Sequence, residues 1–177
     1  MALAIYLLGK PRIERDGVRV GPPKGRKPWA LLAYLLSSGG AVPRERLAAL
    51  LFSDADDPLG TLRWNLAELR RLLGDPDILR GDPLQLSLPP GSFVDIRALA
   101  SGTWMAASQV PGLGCDLLAG MDFPTSAAFE AWLLSERRHL KELTHAALRE
   151  AVTASLAAGQ TRMAIDLAAR LVALDPL

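Results

Sequence analysis

Cysteine is almost missing from this chain. Cys115 stands alone among 177 residues, so no internal disulfide can staple the fold, and the chain suits a reducing compartment such as the cytoplasm. In a stretch with apolar residues such as Leu113, Leu117 and Leu118 nearby, Cys115 reads as a small core residue rather than a reactive thiol. Long hydrophobic runs are missing too: nothing approaches the ~18 consecutive apolar residues that a membrane-spanning helix needs. The first residues show no basic leader followed by an apolar stretch and a cleavage site. Histidine is scarce. His139 and His145 lie six apart on one expected helix and so face different sides, whereas a zinc-binding helical pair is spaced by three or four. No glycine-rich phosphate loop, nucleophile elbow or Cys/His pairing occurs. These absences argue against an enzyme and against a metal or other cofactor.

An excess of charge of one sign is also lacking, since 20 Lys/Arg face 19 Asp/Glu. The distribution is less even. Residues 1–94 hold 13 Lys/Arg against 10 Asp/Glu, and residues 95–177 hold 7 against 9. The balances, +3 and −2, have the signs expected if the N-terminal half meets nucleic acid, but fall short of a strongly basic footprint. Half the residues are hydrophobic and 22% are charged, the composition of a globular chain large enough to bury its own core.

What is present is organised around Leu59 to Gly74. Leucines at 62, 66, 69 and 73 follow the spacing of one helical stripe, with Gly74 at the C-cap position. The opposite face collects Gly60, Trp64, Ala67 and Arg71, with Arg63 and Arg70 on one flank and Glu68 on the other. A leucine-backed helix with an Arg/Trp/Ala upper face suits a DNA major groove, which admits one helix.

The flanking segments supply a frame. Leu3, Ile5 and Leu7 alternate as in a half-buried strand, and Asp16-Gly17 between two short alternating runs is a strong hairpin signal because both turn positions need positive φ. Lys24, Arg26 and Lys27 precede an apolar helix from Trp29 to Leu36 and are candidates for phosphate contact. A second helix begins at Val42-Pro43-Arg44, with Leu47, Leu50 and Leu51 as its buried face. Asp54, Asp56 and Asp57 come just before the Leu59 helix, where carboxylates commonly cap free N–H groups; they lack the glycine and distal glutamate of a calcium loop. After that helix, Ile78 to Leu88 read as a second hairpin with Arg80 near its tip, placed to reach a phosphate or the minor groove.

Three helices followed by a hairpin are the layout of a winged helix. Arg26-Lys27-Pro28, Val42-Pro43-Arg44-Glu45-Arg46-Leu47 and, above all, Leu62 to Gly74 resemble an OmpR-type winged helix. The resemblance is narrower still to the version in the Streptomyces antibiotic regulatory protein (SARP) family and related bacterial activators. It implies Leu66, Leu69 and Leu73 in the core, Arg63, Trp64, Ala67 and Arg71 toward the groove, and Arg70 on a phosphate. One position departs: Glu68 stands where the family commonly has Arg, and a carboxylate can accept from cytosine N4 but not meet a phosphate favourably.

The Pro89-Pro90-Gly91 punctuation places a domain boundary near 94. Residues 95–123 read as short helices with loops at Pro111-Gly112 and Gly120. From Ser126, a long amphipathic pattern runs through Phe129, Trp132, Leu133, Leu140, Leu143, Ala147, Val152 and Leu156 to Gly159. A second helix carries Met163, Leu167, Leu171 and Leu174 toward Asp175-Pro176-Leu177. This pair looks like a tetratricopeptide-type helical hairpin, which needs about three units for a continuous core, so further repeats are expected in a longer protein. Phe93-Val94-Asp95-Ile96, Leu117-Leu118-Ala119-Gly120, Phe129-Glu130-Ala131-Trp132-Leu133 and Glu136-Arg137-Arg138 resemble the bacterial transcriptional activation domain that follows the winged helix in that family.

The expectation is a mainly α protein with small β-sheets: a winged helix over 1–94 and an all-α, TPR-like domain over 95–177. It would be a cytoplasmic regulator that inserts helix 60–73 into a major groove. Arg80 would lie beside that helix, and Lys24, Arg26, Lys27, Arg44 and Arg70 would hold the register on phosphates. The resemblance further implies direct-repeat DNA sites, side-by-side homodimers, activation of transcription, and contact with RNA polymerase through Asp54, Asp56 and Asp57 or through the helical domain. The rival is a protein-interaction module, with the helical domain binding a partner and the winged helix serving as a scaffold.

Overall fold

The computed structural model describes residues 2–123 and 126–174. The chain opens with three strands, β1 (Leu3–Tyr6), β2 (Arg12–Arg15) and β3 (Val18–Arg19). Asp16 and Gly17 both take positive φ in the tight β2–β3 turn, as their hairpin signal predicts. Leu3, Ile5 and Ile13 point into the core, and Ile5 pairs directly with Ile13. Three helices follow: α1 (Lys27–Ser38), α2 (Arg44–Leu51) and α3 (Pro58–Leu73). α1 is buried from Pro28 through Leu36, which is why its sequence is apolar on every side. A short hairpin comes next, β4 (Leu79–Arg80) with β5 (Gln85–Leu86). Between its strands, Leu84 exchanges backbone hydrogen bonds with Val42 at 2.7 and 2.9 Å and so ties the hairpin to the entrance of α2.

The first sheet is completed from further along the chain. β6 (Phe93–Val94) pairs in parallel with β1, giving the order β3-β2-β1-β6. Two residues are too few to show a strand signal in sequence, and this one was not expected. Immediately after it, the Asp95 carboxylate accepts hydrogen bonds from the N–H groups of Leu7 (2.6 Å), Leu8 (2.8 Å) and Ile96 (2.8 Å). These satisfy backbone donors that β1 leaves behind as the chain turns. Burial pushes the Asp95 carboxyl up, against the pull of those three donors toward the ionised form.

The remaining regular elements are helices, α4 (Asp95–Ser101), α5 (Trp104–Ser108), α6 (Ala127–Ala157) and α7 (Thr161–Ala173), with an irregular segment between α5 and α6. Ser126 caps α6 by accepting from the Phe129 N–H, and its hydroxyl donates to the Leu50 carbonyl at 2.7 Å. Gly159, at φ 70°, makes the turn from which α7 folds back along α6. Leu133, Leu140, Ala147, Leu148 and Ala151 are the buried stripe of α6, whereas Leu156 and Met163 stand exposed. The Asp175-Pro176-Leu177 ending lies outside the described residues. Helices make up 54% of the described residues, so the architecture is mainly α with small sheets, a winged helix followed by a helical hairpin.

One core runs through both parts, from Leu3 to Ala147. Tyr34 of α1 meets Trp132 edge-on at 4.9 Å, and Phe129 packs between Trp132 (5.2 Å) and Phe123 (5.7 Å). Leu118 donates to the Leu7 carbonyl and Gly9 to the Asp116 carbonyl, each at 2.9 Å, so a segment of the second half extends the margin of β1. Beside it Cys115 is exposed, contrary to the core position its neighbours suggested: Leu117 and Leu118 face inward, and the turn before them lies outside.

Candidate nucleic-acid interface

α3 begins at Pro58, with Asp57 as its N-cap accepting from the Gly60 N–H at 2.8 Å. A Cβ at position 60 would strike that carboxylate, so the glycine lets the cap close. Gly74, at φ 79°, ends the helix and donates to the Arg70 carbonyl. Leu62, Leu66, Leu69, Leu72 and Leu73 are buried against α1, α2 and the sheet. On the far side Arg63, Trp64, Ala67 and Arg71 are exposed, Trp64 by 51% of its surface. The indole's apolar ring is thereby open to contact from outside, with its N–H as a polar handle.

Glu68 does not belong to that face. Only 8% exposed, it receives both Nε (2.9 Å) and Nη2 (2.7 Å) of Arg71 and the Lys24 N–H (2.8 Å). The loop before α1 folds over it, which a helical wheel cannot reveal. Arg71, aided by the Lys24 amide, holds the Glu68 carboxyl at about 2, against burial pushing the other way. With its oxygens so occupied, it offers no acceptor to a cytosine.

Most of the expected phosphate-binding cations already have partners within the chain. Arg70 donates from Nε (3.2 Å) and Nη2 (2.7 Å) to the Leu79 carbonyl, and Arg44 from Nε to the Gly81 carbonyl (2.9 Å). Both therefore hold the β4–β5 wing against the helices, the first to α3 and the second to α2, while keeping their positive charge. The Arg44 N–H also donates to Asp82 in the wing loop. Arg26 reaches the Asp122 carbonyl at 3.2 Å, in the helical half. Lys27 is paired with Asp54 at 2.8 Å, which draws a cation expected on DNA and an acid expected on RNA polymerase into one contact. That hydrogen bond is the main cause of the lowered Asp54 carboxyl pKa. Asp56 is exposed, and only Asp57 of the three acids caps the helix.

Arg63 and Arg80 are held loosely. Arg63 stands 3.7 Å from Asp57, and Arg80 pairs with Asp77; all four side chains are more than 60% exposed. Such pairs are worth little and exchange readily for a phosphate. Lys24 is exposed and uses only its backbone on Glu68. Of the residues expected at the groove, those that face outward without a firm side-chain partner are therefore Arg63, Trp64 and Ala67 on α3, Arg80 on the wing and the Lys24 side chain, with the outer edge of Arg71 beside them. His145 has a buried Nε2 without a hydrogen-bond partner among the described residues, and His139 is exposed. Among the described residues no group of His, Cys, Asp and Glu could hold a metal ion, and no helix is long and apolar enough to cross a membrane.

A winged helix that shares its core with an α-helical hairpin is the class this fold defines. Comparison with solved structures finds a similar fold in Mycobacterium tuberculosis EmbR, in a complex with a low-affinity phosphopeptide, at a TM-score of 0.62 and 22% identity. The alignment covers 98% of this chain and 51% of that one, so the chain spans about half the length of EmbR. The likeness is one of fold. No family model and no curated protein matches the sequence.

Proposed function

We propose that the protein is a sequence-specific DNA-binding transcriptional regulator that seats α3 in a major groove with the β4–β5 wing alongside. The observation that carries this reading is the outward face of α3. Arg63, Trp64 and Ala67 are open to water on a helix whose other side is rigidly buried, and a wing bearing Arg80 is clamped beside it by Arg70 and Arg44. The buried leucines fix the helix's orientation, Arg63 and Trp64 contact base edges, and Arg80 and Lys24 meet phosphates. The same reading has the protein act in the cytoplasm as an activator, bind direct repeats as a homodimer, and touch RNA polymerase through Asp56 and the adjoining acidic loop.

Selection of bound fragments from random genomic DNA supplies the duplex for the test, and fluorescence anisotropy measures its affinity. Between 50 and 200 mM salt the affinity falls steeply, with a log–log slope of about −0.9 per neutralised phosphate. Arg63→Ala weakens the selected site by about 1–3 kcal/mol and has less effect on unrelated duplexes, without altering the melting temperature. Retention of full affinity by both Arg63→Ala and Trp64→Ala would overturn the groove model.

A second reading rests on α7, where Ile165 (63% exposed) and Val172 (70%) face water on one helical stripe. It makes the helical half a protein-docking surface. Ile165→Asp would then remove partner binding while leaving DNA affinity intact.

A further inference from the structure

A cleft of about 400 Å³ opens where the β1–β2 turn, the end of β3, α1 and the loop at Met121 come together. Its floor is apolar: the Trp29 ring, Val20 and Met121, with two prolines beside them. Its charged lining is of one sign, Lys10, Arg12 and Arg19, and no carboxylate lines it. Lys10 and Arg19 are exposed and, among the described residues, have no ion pair or side-chain hydrogen bond. Arg12 is held in place, its guanidinium 3.7 Å above the Tyr6 ring and its Nε bonded to Glu14 at 3.1 Å. This contrasts with the groove-side cations, most of which are already engaged.

We propose that this cleft binds a small organic anion with an apolar or aromatic body, its acid group among Lys10, Arg12 and Arg19 and its body on Trp29, Val20 and Met121. Two unpaired cations converging with a third on one concavity repel each other, and an anion seated among them removes that repulsion. A bare hydrated ion would satisfy the cations and leave the apolar floor wet. A neutral apolar molecule would cover the floor and leave the cations unpaired. Only an amphiphile of the right sign satisfies both, and the volume is within the range of small-molecule sites. The site is independent of the DNA reading and lies on other residues.

The test uses the full chain and three probes: anilinonaphthalene sulfonate, the same ring system without the sulfonate, and inorganic sulfate. The sulfonate dye is expected to bind saturably, one per chain. It should shift the backbone amide signals of Lys10, Arg12, Arg19 and Val20 and the indole signal of Trp29. The uncharged ring system binds about tenfold more weakly or worse, the loss expected for a charge-assisted contact, and sulfate does not saturate at the same concentrations. Lys10→Glu with Arg19→Glu lowers dye affinity by about tenfold or more at unchanged melting temperature. Lys10→Ala alone, at an exposed position, gives a smaller loss in the same direction should the double variant fold poorly. Equal affinity for the charged and uncharged rings, retention by both variants, shifts centred on Trp104 and Met163 instead, or no saturable binding would each overturn the proposal.

Discussion

Glu68 and Arg71 act as one unit, and this changes what a mutation at either position reports. The carboxyl sits near 2 in the folded protein against 4.5 when unperturbed, so the native state binds fewer protons than the unfolded chain across that interval. The stabilisation is therefore complete above about pH 4.5 and is lost as pH falls toward 2. Urea unfolding measured at steps down that range should show the decline, and Glu68→Gln should flatten it. Arg71→Ala is expected to cost about 1–3 kcal/mol, because it leaves a buried carboxylate with one backbone donor, and a Glu68→Gln background should restore part of the loss. Weakened DNA binding by Arg71→Ala alone would thus mix groove contact with stability, whereas Arg63→Ala does not. The sequence placed Glu68 off the leucine stripe correctly. What it could not show was the loop from Gly21 to Arg26 closing over that flank, because nothing local in α3 encodes it.

At the scale of elements, the most legible features are those whose signal is local. The Asp16-Gly17 turn, the cap and C-terminal glycine of α3, and the Gly159 turn between α6 and α7 each stand where backbone φ or an open N–H demands that residue type. The wing is the counter-example. Its alternating residues read as a longer hairpin, but each strand keeps two ladder residues, since Leu84 pairs with Val42 instead. So short a hairpin has little stability of its own and depends on Arg70 and Arg44. Arg70→Ala should accelerate hydrogen exchange at the Leu84 and Ser87 amides, by an amount equivalent to about 1–2 kcal/mol, while the amides of α3 keep their protection. A loss spread evenly over α3 would mean that Arg70 supports the helix and not the wing.

For the whole molecule, the question is whether the proposed boundary at residue 94 separates two folding units. Proline and glycine mark the place in sequence, yet Val94, Ile96, Phe123 and Phe129 share one cluster with Ile5 and Leu31. Phe129→Ala is expected to cost about 3–5 kcal/mol, and the loss should register equally at amides of α1 and α6 in a single unfolding transition. Two resolved transitions, with α1 unaffected, would instead make residues 1–94 a separate domain. The long-range parts of the architecture were the ones hidden from sequence reading: β6 is two residues long, and Asp95 looks like any acid at the start of a helix until its partners are known.

Those partners lie 88 and 87 residues back along the chain, at Leu7 and Leu8. A ribosome emits the N-terminus first, so the opening strand must wait for the aspartate, and the aromatic cluster waits longer still, until position 132 has left the exit tunnel. During that interval the nascent winged helix exposes an unfinished sheet edge and an uncovered apolar flank, the surfaces that chaperones recognise. Production of this protein in a cell is therefore expected to respond to the pace of translation while residues 94 to 132 are leaving the exit tunnel, a tunnel's length further along the message, more than to any slowing before it.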